Sequence, residues 1–196
     1  MKHSSLRIIR EEHLAVGAML QSLRQMVQRG PGDEPERYFD VLRAMLFYID
    51  EFPEKLHHPK ESDLLFPKIV RREPQLLAVI ERLDRDHMHG ERMVREVQHL
   101  LLAWELLGES RRAAFTQAAD QYLSFYIDHM RTEETQVLPV AERVLSEADW
   151  AELDRAFESH QDPFTGDHAN KTRDAIYDRL YTRIVTRAPA PIGLGT

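Results

Sequence analysis

The sequence predicts an all-α protein, an up-and-down four-helix bundle with two additional C-terminal helices. Three observations point there. Apolar residues recur at helical spacing along four long stretches. Short Gly- and Pro-containing loops separate them, as antiparallel neighbours require. The halves also echo each other: His13 to His57 spans 44 positions and His87 to His129 spans 42, the mark of a helix–loop–helix duplication. No segment reads as strand.

The first helix opens at Ser4 or Ser5, hydroxyl residues that can cap free backbone N–H groups, and reaches to about Arg29. Leu6, Ile9, Val16, Leu20 and Leu23 share one stripe, and His13 lies on it with them. Gly30-Pro31-Gly32 then makes a loop. The second helix starts near Pro35, where a missing N–H costs nothing. Its stripe of Phe39, Leu42, Leu46, Ile49 and Pro53 arrives at His57 and continues through Glu61 to Leu64 and Leu65. Pro53 and Pro59 predict kinks rather than a break, because the stripe keeps its phase across both. Pro67 and Pro74 bracket the exit.

The third helix runs from about Pro74 to Leu107, with Ile80, Leu83, His87, Glu91, Val94 and Leu101 on one face, and Gly108 closes it. Ser110 opens the fourth, which carries Phe115, Ala118, Tyr122, Phe125, His129, Glu133 and Val137 to about Leu145. Residues 1–146 therefore form the bundle. Ser146 followed by Asp149 caps a short helix that ends near His160, and Ile176, Leu180 and Ile184 mark a last helix from about Asn170 to Arg187. Residues 147–188 make up this helical extension, expected to pack on the bundle or to form a homodimer contact. The tail, 189–196, has no core of its own and is expected to be flexible.

A chain of 196 residues suits one domain with an elaboration. Its net charge of -7 argues against a nucleic-acid partner, which needs a concentrated basic surface. The absence of cysteine excludes disulfides, iron–sulfur clusters and thiol catalysis. No apolar run is long enough to cross a bilayer, and Met1-Lys2-His3-Ser4-Ser5-Leu6-Arg7 has no apolar signal core, so the expected setting is cytoplasmic with no membrane partner.

The chemistry gathers on the four stripes. Each carries a histidine, and three of these are followed four residues later by a glutamate: His57 with Glu61, His87 with Glu91, His129 with Glu133. Four residues are about 400° of rotation and ~6 Å of rise, so each pair stacks on one helix face and can grip one metal ion. A carboxylate on a core-facing stripe is costly unless a cation accompanies it. A two-metal cage with bridging carboxylates and terminal imidazoles satisfies all of them. His58 rivals His57, but it points about 100° off the stripe, and His57 keeps the repeat with His129 in register. Tyr48, Asp50, Tyr122 and Tyr126 could hold imidazole N–H groups or a bound ligand, although for the tyrosines a satisfied core role is the simpler reading. Gly17, one turn past His13, leaves room either for a small ligand or for a close helix crossing. His160 and His168 flank a turn and offer at most an accessory metal site, and His89 and His99 read as surface residues.

These residues resemble the hemerythrin-like, HHE cation-binding proteins, whose pattern H…HxxxE…H…HxxxE is met by His13, His57 with Glu61, His87, and His129 with Glu133. Each HxxxE segment runs into an apolar-Pro exit, Phe66-Pro67 and Leu138-Pro139, and the likeness covers about residues 5–145. The resemblance implies two iron ions with an oxo or hydroxo bridge, with another divalent metal such as zinc as a substitute. Glu61 and Glu133 are then the expected bridges, His13, His57, His87 and His129 terminal ligands, and Glu91 a seventh ligand or an outer acceptor. Oxygen-carrying members have a second His on the third helix and an Asp after the last His, where this chain offers Glu91 on the third helix and Glu133 on the fourth. The resemblance thus implies bacterial-type chemistry on a small ligand (O2, nitric oxide or peroxide), with enzymatic turnover left open. Iron sensing, storage or donation, including repair of iron centres, is the alternative.

Overall fold

The structure, a computed structural model, describes residues 3–159, 162–165 and 175–195. Among them every long element is helical, and the one extended feature is an isolated bridge between Pro189 and Gly195. The protein is all-α.

Helix α1 (Ser4–Arg29) begins one residue after His3, which supplies no side-chain cap. Ser5 is instead buried in the first turn, where its N–H (2.8 Å) and its hydroxyl (2.6 Å) both donate to Asp154 Oδ1. A carboxylate from a later helix thus satisfies an N-terminal amide that a local cap would otherwise take.

The second helical rod is continuous over 35–72. It comprises α2 (Pro35–Ile49), a π-helical stretch Asp50–His57, α3 (His58–Lys60), a π-helical turn Glu61–Leu65 and α4 (Phe66–Arg72). Pro53 lies inside the π stretch and Pro59 in the first turn of α3. A proline has no N–H to donate and crowds the carbonyl four residues back; the wider i+5 turn relieves both. The kink expected at Pro53 is therefore a stretch of π-helix, while Pro59 sits in the short α3 between two such stretches. Pro67, expected at the exit, sits in the first turn of α4, and the helix continues past it.

A 3₁₀ turn, Pro74–Leu76, leads into α5 (Leu77–Leu107), which ends at Gly108 with φ of 85°, a backbone conformation that favours glycine. The fourth rod repeats the second: α6 (Arg112–Thr132), a π turn Glu133–Val137, and α7 (Leu138–Val144) with Pro139 in its first turn. Glu61 and Glu133 each open a π turn. Such turns re-aim side chains and recur at functional sites.

Ser146 and Asp149 form the expected capping box of α8 (Glu147–Glu158), which packs on α1. Helix α9 (Ala175–Arg187) packs on α2. Its expected start at Asn170, and both His160 and His168, lie outside the described residues. No helix among the described residues is long and apolar enough to cross a membrane.

The tail, expected to be flexible, makes hydrogen bonds to α1. Ser22, fully buried in α1, donates its hydroxyl to the Pro189 carbonyl (2.8 Å) and accepts the Ile192 N–H (3.1 Å). A Cβ on Gly193 or Gly195 would fall 2.1 Å from the Ala188 carbonyl oxygen or 2.3 Å from that of Arg187, so only glycine lets the turn close.

The apolar core is in two parts. One joins Val16 to Val27 of α1 with α2, the C-terminal half of α5 and α6, and takes in Ile184 and Ala188. The other gathers Leu6, Ile9, Leu65, Phe66, Ile80, Leu83, Val137 and Leu138 under Trp150, Leu153 and Phe157 of α8. Between them the rods carry a polar belt: His13 follows Ile9, His57 precedes Leu65, His87 follows Leu83, and Glu133 precedes Val137.

Replacing Ser22 with Ala leaves a buried carbonyl and a buried amide without their partner. The expected loss is about 1–3 kcal/mol of unfolding free energy in urea titrations; an unchanged midpoint would show that the tail is not anchored there.

Candidate metal centre

The belt brings five imidazoles and two carboxylates together. Three groupings have donor atoms all within 4.8 Å of one another: His58 with His87 and His129, His13 with His57 and Glu61, and Glu61 with His87 and Glu133. All seven residues are buried. Glu61 faces both imidazole groups, with Oε1 3.3 Å from His57 Nε2 and Oε2 3.6 Å from His87 Nε2. Glu133 does the same, with Oε2 3.3 Å from His13 Nε2 and Oε1 3.2 Å from His129 Nε2 and 3.5 Å from His87 Nε2. Adjacent donors around an octahedral ion with bonds of about 2.1 Å are about 3.0 Å apart. The carboxylate–imidazole edges here sit slightly outside that, as a cage ready to close on a cation.

The outer nitrogens face away from the centre. His57 Nδ1 is 2.6 Å from Glu12 Oε2, His58 Nδ1 3.0 Å from Glu54 Oε2, and His13 Nδ1 3.1 Å from Glu134 Oε1. His87 Nδ1 is 2.9 Å from Ser62 Oγ, whose own hydrogen goes to Asp84 Oδ1 at 2.7 Å. His129 Nδ1 points to Asp86 at 3.9 Å. Where the neighbour is an ionised carboxylate, or a hydroxyl whose hydrogen is committed elsewhere, Nδ1 carries the hydrogen, and the ring in its neutral form then turns the Nε2 lone pair inward, the arrangement a metal-binding histidine needs. Inside, Nε2 of His57, His87 and His129 and both oxygens of Glu61 and Glu133 have no hydrogen-bond partner. Buried polar atoms are normally paired, so this many converging on one spot fit a bound cation.

The charges agree. Burial pushes His129 down, but the Glu133 and Asp86 carboxylates outweigh it and raise the imidazole to about 10. Burial acts likewise on His57, and Glu61 and Glu12 hold it well above its ordinary value. Burial also works against Glu133, yet His129, His13 and His87 pull it well below the usual carboxylate range. His58 behaves oppositely: burial and the nearby His87 and His129 hold it well below. Burial lifts Glu54 to about 8, against a 3.1 Å hydrogen bond from the Tyr122 hydroxyl.

Of the residues expected from sequence, His13, His57, Glu61, His87, His129 and Glu133 meet in the centre. Glu91 does not. It lies on the outer face of α5, paired with Arg95. Its place is taken from another rod by His58, stacked on His87 with ring centroids 4.1 Å apart. The 100° between His57 and His58 does not carry His58 out of the site, because the site has two sides: His57 turns to His13 and His58 to His87 and His129. Glu54, four residues before His58, was the available signal, a helical Glu–His pair read in the reverse direction. The Tyr126 hydroxyl lies 3.1 Å from His58 Nε2, whereas Asp50 faces Lys55 at 3.4 Å instead of the centre. Gly17 marks no close crossing, since a Cβ there would meet nothing within 4 Å.

A family model described as the hemerythrin HHE cation-binding domain matches residues 4–141. The chain belongs to this family. The hemerythrin match contains all seven converging residues and stops before α8, so the C-terminal extension lies outside it. Among curated proteins no match is found.

Two measurements check this geometry. His58→Ala should weaken retained metal by more than the roughly 10- to 100-fold that loss of an outer partner costs, while Glu91→Ala leaves it unchanged, as read by metal titration and elemental analysis. The second is pH. His57 and His129 have raised values in the metal-free fold, so the stability they contribute is present below about 6.5 and lost as pH rises through the folded values, about 10 for His129. The metal-free chain should therefore lose urea stability between neutral pH and about pH 10, by about 1.4 kcal/mol per pH unit for each titrating group, and Glu133→Gln should flatten that slope.

Proposed function

We propose that this chain is a non-haem di-iron protein of the bacterial hemerythrin type, which binds or reacts with a small ligand (O2, nitric oxide or peroxide) inside an up-and-down four-helix bundle. The observation that carries the reading is the pair of buried carboxylates, Glu61 and Glu133, each turning one oxygen to each imidazole group. They would bridge two ions, one held by His58, His87 and His129 and the other by His13 and His57. Iron so bound supplies reversible redox change and open positions for a ligand.

The protein's own part is orientation and exclusion. Glu12, Glu54, Glu134 and Ser62 hold four imidazoles in the inward-facing tautomer. Apolar clusters above and below keep bulk water from the belt. The side with His13 and His57 has one imidazole fewer, and it borders a small enclosed cavity. That asymmetry supports ligand binding on the His13–His57 side. The fifth imidazole comes from the second rod, and the third presents Glu91 to solvent, which supports chemistry other than reversible oxygen carriage.

Iron sensing, storage or donation would use the same ligands. The burial of all seven side chains weighs against ready release.

Anaerobic protein reconstituted with ferrous iron should retain about two irons per chain, and its absorption spectrum should change rapidly on addition of peroxide or nitric oxide. Consumption of peroxide beyond stoichiometry marks an enzyme, and a single stoichiometric oxidation marks the iron-handling alternative. Inertness to oxygen, peroxide and nitric oxide overturns the proposal.

A further inference from the structure

Helix α9 packs on α2 and leaves a groove between itself, α2 and α5. The groove has a volume of about 540 Å³, inside the range of about 300–1,000 Å³ typical of small-molecule sites. Its apolar wall is made by Phe47 of α2, Leu101 and Leu102 of α5 and Leu180 of α9. Phe47 is 49% exposed and Leu102 46%, so large apolar side chains from two rods face water over one space. Helix α9 lies outside the family span, so the bundle alone does not make this groove.

The chain carries a net charge of -7, yet arginines rim the groove: Arg43 of α2, and Arg179 and Arg183 of α9. Their charges are not equally engaged. Arg43 pairs with Glu105 and lies 3.6 Å from Asp40. Arg183 donates to Asp40 Oδ1 at 3.0 Å, and Arg187, farther along α9, donates to Oδ2 at 2.7 Å. Three guanidinium groups thus share two carboxylates. Asp50, the acidic residue of the lining, has Lys55 at 3.4 Å and Arg95 at 3.9 Å. Arg179 lines the same groove one turn before Arg183, is exposed, and pairs with no carboxylate among the described residues.

We propose that this groove is a second binding site, for a small amphipathic carboxylate such as a medium-chain fatty acid, whose apolar body lies on Phe47, Leu101, Leu102 and Leu180 and whose head takes the Arg179 guanidinium. A planar guanidinium offers two parallel N–H donors that match one carboxylate, and a singly charged head suits a single arginine without a partner. The apolar body supplies most of the affinity, and the arginine selects the head group. A second copy of this chain docked two-fold on the face would instead bring the arginine rim against itself. The site uses none of the seven residues of the metal centre and does not depend on the reading given to that centre.

Calorimetric titration of the full chain with octanoate at low ionic strength tests it, with octanol as the neutral control and acetate as the control without a chain. One octanoate should bind per chain, roughly tenfold or more tighter than acetate. Arg179→Gln should weaken octanoate roughly three- to tenfold and leave octanol unchanged, while Leu102→Asp should abolish the binding of both. Both positions face solvent, so the urea midpoint and the metal content should stay as in the unaltered chain. The absence of saturable octanoate binding, or binding indifferent to either substitution, overturns the proposal. A concentration-dependent dimer that Leu102→Asp dissociates would assign the groove to a second copy and overturn it as well.

Discussion

Glu61 and Glu133 set the terms for the rest of this fold. Both are almost wholly buried, and none of their four carboxylate oxygens has a hydrogen-bond partner. Desolvated charge of that kind is held only against compensating positive charge, and the imidazoles arranged around it are the compensation the chain itself supplies. In the metal-free fold some of that compensation is protonic, which is why His57 and His129 are pushed up and Glu133 down. A cation would displace those protons and take over the same role.

The centre is held by layers of different kinds. Apolar clusters on either side fix the spacing of the rods, so the belt is neither squeezed nor opened. Outer partners then fix four of the five imidazoles, and they come from several rods: Glu12 from α1 holds His57 of the second, and Glu134 of the fourth holds His13 of α1. This cross-bracing ties the orientation of the imidazoles to helix packing. The π-helical turns at Asp50–His57, Glu61–Leu65 and Glu133–Val137 add local freedom where the side chains of the belt are aimed inward, and they absorb Pro53 without ending the helix.

The extension beyond the family span is part of the same construction. Helix α8 covers one apolar cluster and supplies Asp154 to the start of α1, while the final turn is pinned to Ser22. Between them the segment bearing Asp162 reaches the side of the centre that has fewer imidazoles. The same extension thus covers the bundle and lines the cavity beside His13 and His57.

Much of this was determined by sequence alone. Apolar stripes of period 3.6 place the rods, and residues riding the same stripe must face the same interior, so His13, His57, Glu61, His87, His129 and Glu133 could be picked out by phase. Phase puts Glu91 on the same stripe, but α5 is long and only a narrow part of its face meets the belt, leaving Glu91 within reach of Arg95 and water. It undervalued His58, because a single stripe is a line and the centre has width. The partners Glu12, Glu54 and Asp162, and the anchoring of the tail on Ser22, belong to tertiary structure: each joins atoms on different turns or different elements through directional hydrogen bonds. Periodicity records which way a side chain points from its own helix; only the packed rods decide what it meets.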